Sequence, residues 1–106
     1  MKNCLCGCFA KTQNLTLEGQ LSYGARTLDL RVGDLGPEKG EDRFIFVHDA
    51  CYTKVTVRNG LNQVRRYLSR NPTEFVFLGF HRLLSKHKGP FDYKGLADMI
   101  EDILEN

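Results

Sequence analysis

Two short apolar runs, FIFVH at 44–48 and EFVFLGF at 74–80, flank one amphipathic helical stripe. That order restricts the fold more than any other feature of the chain. The stripe sets Val57, Leu61, Val64 and Leu68 close to an i, i+4, i+7, i+11 spacing, so one side of a helix is apolar. Arg58, Arg65, Arg66 and Arg70 fall mostly on the other side. Thr56 stands where a hydroxyl can cap the first N–H groups. Asn71-Pro72 closes the stripe, because a residue before proline resists the helical conformation. Upstream, RTLDLRV alternates Leu28, Leu30 and Val32 with Asp29 and Arg31, the two-residue period of a strand.

Two more helices are expected. Thr16 to Tyr23 carries Leu17 and Leu21, then Ala25, in helical spacing. Asn14 or Thr16 is its cap, Glu18 stands in its first turn and Gly24 fits its stop. The last helix runs from about Tyr93 to Leu104, with Leu96, Met99, Ile100 and Leu104 inward. GDLGPEKGED and the stretch from Cys51 to Lys54 are expected to be loops. Buried strands alternating with amphipathic helices predict an α/β fold with a parallel sheet. Three clear strands are too few to close an eight-stranded barrel, which takes ~250 residues.

A chain of 106 residues is long enough for one small domain. Its net charge of +2, with basic residues scattered rather than striped, argues against nucleic acid as a partner. No apolar run approaches the ~20 residues that span a bilayer. MKNCLCGCFA is too short and cysteine-rich for a secretory signal, so the expected location is cytoplasmic, peripheral to membranes at most. Cys4, Cys6 and Cys8 are too close for internal pairing and have no CxxC pair downstream. Free thiols and S-acylation are both consistent with them. Cys51 has no evident base nearby and reads as a packed residue.

In parallel α/β folds, functional side chains gather at the C-terminal ends of strands. Asp29 and Arg31 share one face of the first strand, and His48 ends the second. An arginine held by an aspartate makes a two-pronged phosphate clamp. A histidine at the next strand end can protonate a leaving oxygen. A structural ion pair and a packed histidine account for the same residue types. His81 ends or just follows the third strand and can line the same mouth, or its rim. His87 is expected to be solvated. Tyr52, Thr53 and Lys54 follow His48 and can touch a headgroup, or serve as ordinary loop residues.

These residues also form a family pattern. TQNLTLEGQLSYGARTLDLRV resembles the segment of phosphatidylinositol-specific phospholipase C X-type domains in which a helix with Gln-Leu and a glycine leads into a Leu-Asp-(Leu/Ile)-Arg strand. FIFVHDACYTKVTVRNGLNQVRRYLSRNPTEFVFLGF resembles the next stretch: a strand ending in His, a Thr-started helix, an Asn-Pro break and a buried strand. The likeness runs from about Thr12 to Phe80 and loosely to the end. It implies a non-family N-terminus over 1–11 and a partial X-type domain over 12–106.

The resemblance implies roughly the first half of a (β/α)₈ barrel. The family cleaves the phosphodiester of phosphatidylinositol-type lipids. One histidine acts as base on the inositol 2-hydroxyl, and a second protonates the leaving diacylglycerol oxygen. By motif, His48 matches the second histidine, Arg31 the phosphate-neutralising arginine and Asp29 the carboxylate before it. Tyr52, Lys54 and His81 are then candidate substrate contacts. Arg31 and His81 occupy places where calcium-dependent members carry acids, so the resemblance implies no metal and no cofactor. The family's Gly-(Ser/Thr)-His-Asp motif has no counterpart in residues 1–11. The expectation is little turnover by this chain, or a catalytically dead binding or regulatory module. The implied partner is a phosphoinositide-type lipid or inositol phosphate, met transiently at membranes. Self-association through an open barrel edge is a further expectation.

Overall fold

A computed structural model of the protein describes residues 16–48 and 51–105, and of residues 48 and 51–54 the backbone alone. The chain begins there with α1 (Leu17–Ser22), capped by the Thr16 hydroxyl, which accepts from the Gly19 N–H at 3.0 Å. Gly24, at φ +111°, turns the chain out of the helix in a conformation that a Cβ disfavours. β1 (Thr27–Asp34) follows, then a 3₁₀ segment (Pro37–Asp42), β2 (Phe44–His48) and β3 (Cys51–Thr56). α2 (Val57–Arg70) is capped by Thr56, whose hydroxyl accepts from the Asn59 N–H. β4 (Phe77–Ser85) and α3 (Tyr93–Glu105) complete the chain.

The fold is α/β, built on an open four-stranded mixed sheet in the order β3-β2-β1-β4. β1 and β4 are parallel. The other two pairings correct the expected parallel sheet: β1–β2 and β2–β3 are antiparallel. The reason is connection length. Only residues 35–43 join β1 to β2, and a parallel crossover needs a dozen or more. FIFVH is continuously apolar because β2 is an interior strand, with Phe44, Ile45 and Val47 all buried.

Three boundaries also differ from expectation. The expected loop from Cys51 to Lys54 is part of β3, pairing His48 with Cys51 and Val47 with Tyr52. GDLGPEKGED is not one loop, since Gly33 and Asp34 extend β1 and Pro37–Asp42 form the 3₁₀ segment. The third apolar run is not a doubly buried strand. β4 starts at Phe77, and Phe75 and Phe77 are more than half exposed. It lies at the sheet edge. Cys4, Cys6, Cys8, Asn14 and the 11/12 boundary lie outside the described residues.

The helices cover one face of the sheet. Leu28, Leu30 and Val32 point into that layer from β1. Leu28 and Leu30 join a cluster with Leu21, Val64 and Tyr67. Val32 joins Phe44, Val57, Leu61, Phe91, Leu96 and Ile103. Gly60 lets α2 settle onto β2: a Cβ there would stand 2.6 Å from the Phe46 ring. Arg26 ties the entry to β1 into this layer, donating to Glu74 at 2.8 Å and to the Tyr67 hydroxyl at 2.7 Å.

Candidate functional site

Strand alternation that buries Leu28, Leu30 and Val32 sends Asp29, Arg31 and Gly33 to the face opposite the described helices. There the Arg31 guanidinium lies 4.0 Å from the Asp29 carboxylate, with the two side chains 30% and 60% exposed. The pair is therefore accessible, at the outer limit of an ion pair. Such an arginine can present its planar fork to a phosphate while the aspartate holds its direction.

The antiparallel course of β2 decides where His48 goes. β1 and β2 pair Val32 with Phe46 and Asp34 with Phe44. β2 thus runs back along β1, and the paired stretch ends at Val32 with Phe46, two residues short of His48. His48 and Arg31 do not sit at adjacent C-terminal strand ends, because the strands point in opposite directions. Tyr52 and Lys54 belong to β3, beyond β2 from Arg31.

His81 lies inside β4 rather than at its end, since that strand continues to Ser85. The β1–β4 register pairs Leu30 with Phe80 and Arg31 with Arg82, leaving His81 as the extra residue of a bulge. The hydrophobic pattern requires it. Leu78 and Phe80 pack inward two residues apart, but the next inward side chain is Leu83. One added residue keeps Arg82 out of the core. His81 and Arg82 are both exposed beside Arg31.

At the far end of β1 is a polar cluster that local sequence patterns do not reveal. Asp34 is fully buried. Its Oδ1 accepts from the Gly36 N–H at 2.9 Å and from Arg43 Nε at 2.8 Å. Its Oδ2 accepts from Arg43 Nη2 and the Asp92 N–H, each at 3.0 Å. Burial pushes the Asp34 carboxyl up. Hydrogen bonds from Arg43 and from the Asp92 and Gly36 backbones outweigh it and hold the group below the usual carboxylate range. Arg43 also reaches Asp92 at 3.2 Å.

His87 is part of this cluster, which corrects the expectation that it is solvated. Its Nδ1 accepts from the Gly89 N–H at 3.1 Å. That leaves the proton of the neutral ring on Nε2, which is buried 3.6 Å from Asp34 Oδ2 without a hydrogen bond. Gly36, at φ +108°, lets the ring approach, since a Cβ there would stand 3.1 Å from it. The cluster joins the ends of β1 and β4 to the start of α3. Only the pattern D-x-G-P after a strand hinted at it.

A groove of about 710 Å³ lies between the 3₁₀ segment, α2 and α3, lined by Glu41, Arg58, Asp98, Met99, Asp102 and Ile103 among others. It includes none of the Asp29–Arg31 group. Among the described residues, no set of three His, Cys, Asp or Glu side chains is arranged to hold a metal ion. No helix among them is long and apolar enough to cross a membrane.

Comparison with known proteins adds a family to this geometry. No protein-family model matches the chain, and no solved structure does. Curated relatives do. PI-PLC X domain-containing protein 3 of Bos taurus is 30% identical over 95 residues, covering 90% of this chain and 28% of the relative. PI-PLC X domain-containing protein 2 of Homo sapiens is 37% identical over 70 residues, 66% of this chain and 22% of the relative. PI-PLC X domain-containing protein 1 of Mus musculus is 39% identical over 67 residues, 63% of this chain and 19% of the relative. The chain spans less than a third of the length of each. Relatives of three types agree on the same domain, and the chain belongs to the family of PI-PLC X domain-containing proteins.

Proposed function

We propose that this chain carries the phosphate-binding and proton-donating part of a phosphodiesterase site of the phosphatidylinositol-specific phospholipase C type. The observation that carries the reading is the Asp29–Arg31 pair on the face of β1 opposite the described helices. Arg31 neutralises the phosphate with paired charge-assisted hydrogen bonds, and Asp29 orients it. His48 donates the proton to the departing diacylglycerol oxygen. The fixed charge of Arg31 stands where an acidic calcium ligand would otherwise be, so the reaction runs without calcium. The ligand is a phosphoinositide-type lipid or its inositol phosphate headgroup. The parallel pairing of β1 with β4, with the described helices on one face of the sheet, supports roughly the first half of a (β/α)₈ barrel.

A second reading, a binding module without turnover, is favoured by the fate of His87. Its ring is packed against Asp34 at the far end of β1 and cannot supply a second acid–base group beside Arg31. Incubation with labelled phosphatidylinositol, followed by detection of inositol cyclic phosphate, separates the two. Turnover lost in His48→Ala establishes the first. Saturable inositol 1-phosphate binding that weakens in Arg31→Gln, without turnover, establishes the second. Neither turnover nor binding overturns both.

A further inference from the structure

Four carboxylates form a stripe along α3. Asp98, Glu101, Asp102 and Glu105 follow one another at one- to three-residue steps that return to the same side of the helix, and all four are exposed. Like charges at i, i+4 repel, and both Asp98–Asp102 and Glu101–Glu105 stand at that spacing. The last turn of α3 holds no basic residue to offset the helix dipole. Contacts within the chain relieve part of this. Lys94 reaches Asp98 at 2.8 Å, and Asp102 is also engaged. Among the described residues no cation pairs with Glu101 or Glu105. The stripe therefore costs α3 stability that no described contact returns.

The stripe borders the groove between the 3₁₀ segment, α2 and α3, whose volume of about 710 Å³ is that of a ligand-sized cleft. Met99 and Ile103 stand beside the carboxylates and pack on the core at Phe44, Val57 and Leu61, which gives the groove an apolar floor. Glu41 adds a fifth carboxylate from the 3₁₀ segment. Among the described residues lining the groove, Arg58 is the one cation. It is shared at long range, 3.6 Å from Glu41 and 3.7 Å from Asp42. Five carboxylates thus face one guanidinium, on a chain whose net charge is +2.

We infer that this groove docks a basic, amphipathic segment of a partner protein, whose lysine or arginine side chains meet the carboxylates while an aliphatic side chain rests on Met99 and Ile103. Charge decides among the occupants. Anionic lipid and nucleic acid are repelled by the excess of carboxylates. A second copy of this chain has few cations to offer from its helices. Its Arg66 and Arg70 already hold Glu18 at 2.9 and 3.2 Å, and Arg65 is engaged as well. A separate basic segment brings its own cations. It relieves the repulsion along α3 and takes apolar surface out of water in the same step. None of the Asp29–Arg31 group lines the groove, so docking leaves that pair open.

Fluorescence anisotropy of the full chain tests the groove. The probe is a labelled synthetic peptide with leucine at helical spacing and lysine and arginine elsewhere. One control replaces its basic residues by glutamate, and another replaces its leucines by serine. The basic leucine peptide is expected to bind saturably and to weaken as salt is raised. The double variant Glu101→Gln, Glu105→Gln should weaken it roughly five- to tenfold, the scale of two exposed charge pairs. Met99→Ser should weaken the leucine peptide and leave the serine control unchanged. Absence of saturable binding, unchanged affinity in the double variant, or a control that binds as tightly overturns the proposal. Sedimentation velocity reads the second-copy alternative: self-association that disappears in the double variant assigns the groove to another copy and overturns the basic partner. Urea unfolding separates docking from support of the fold. Removing two repelling carboxylates should raise the midpoint or leave it in place, and a lowered midpoint overturns the proposal.

Discussion

Asp34 and Arg43 meet as a two-pronged ion pair at the end of β1, with Nε to Oδ1 at 2.8 Å and Nη2 to Oδ2 at 3.0 Å. The carboxylate is fully buried, and two backbone N–H groups complete its shell. Removing one partner of such a pair strands a charge in a place without water. Asp34→Ala and Arg43→Met should each destabilise the chain by about 3–5 kcal/mol. The double variant should cost less than the sum, because no unpaired charge remains. Urea unfolding of the four species tests this, and additive losses would contradict it.

The same pair sets an acid limb. The folded-state pKa of Asp34 lies below its unfolded value, so its contribution is fully present above the ordinary aspartate pKa of ~3.9. It is lost as pH falls through the lower folded value. Stability should drop steeply below about pH 4. Asp34→Asn should be less stable at neutral pH and flatten that drop. Thermal unfolding between acid and neutral pH gives the comparison.

Gly60→Ala sets two effects against each other. Alanine gains up to about 1 kcal/mol of helix propensity, here at the end of the first turn of α2. Its Cβ, however, would lie 2.6 Å from one Phe46 ring carbon and 2.8 Å from another. Overpacking of this kind typically costs about 1–3 kcal/mol. Net destabilisation is expected in chemical denaturation. Phe46→Leu in the Gly60→Ala background should restore part of it by removing the ring.

Arg31→Lys retains the charge and loses the planar fork. If Arg31 grips phosphate through paired hydrogen bonds, inositol 1-phosphate affinity should fall roughly tenfold. A lysine variant that binds as well as the parent would reduce the role of Arg31 to simple charge.

The helices and their ends were legible because their causes are local. Thr16 and Thr56 cap as hydroxyls before apolar stripes do. Asn71-Pro72 ends α2 at Arg70. The alternation of β1 placed Asp29 and Arg31 on one face. The extra residue at His81 is also written locally, in the step from Phe80 to Leu83, though strand pairing gives it its consequence. His87 and Asp34 were not legible. Asp34 reads as a loop acid until Arg43 and the Asp92 N–H, 58 residues away, close around it.

By itself, then, the sequence determined the kinds of elements, their caps, the inward face of β1 and the family to which the chain belongs. Periodicity, hydroxyl capping and proline sterics act within a few residues and need no partner. Tertiary structure decided strand direction, the opposition of Arg31 and Arg82, and the burial of Asp34. Each of these depends on which segments become neighbours in the sheet. A short run of side chains can show that it forms a strand, but its orientation and the charges it faces come from chain connections and packing across the whole domain.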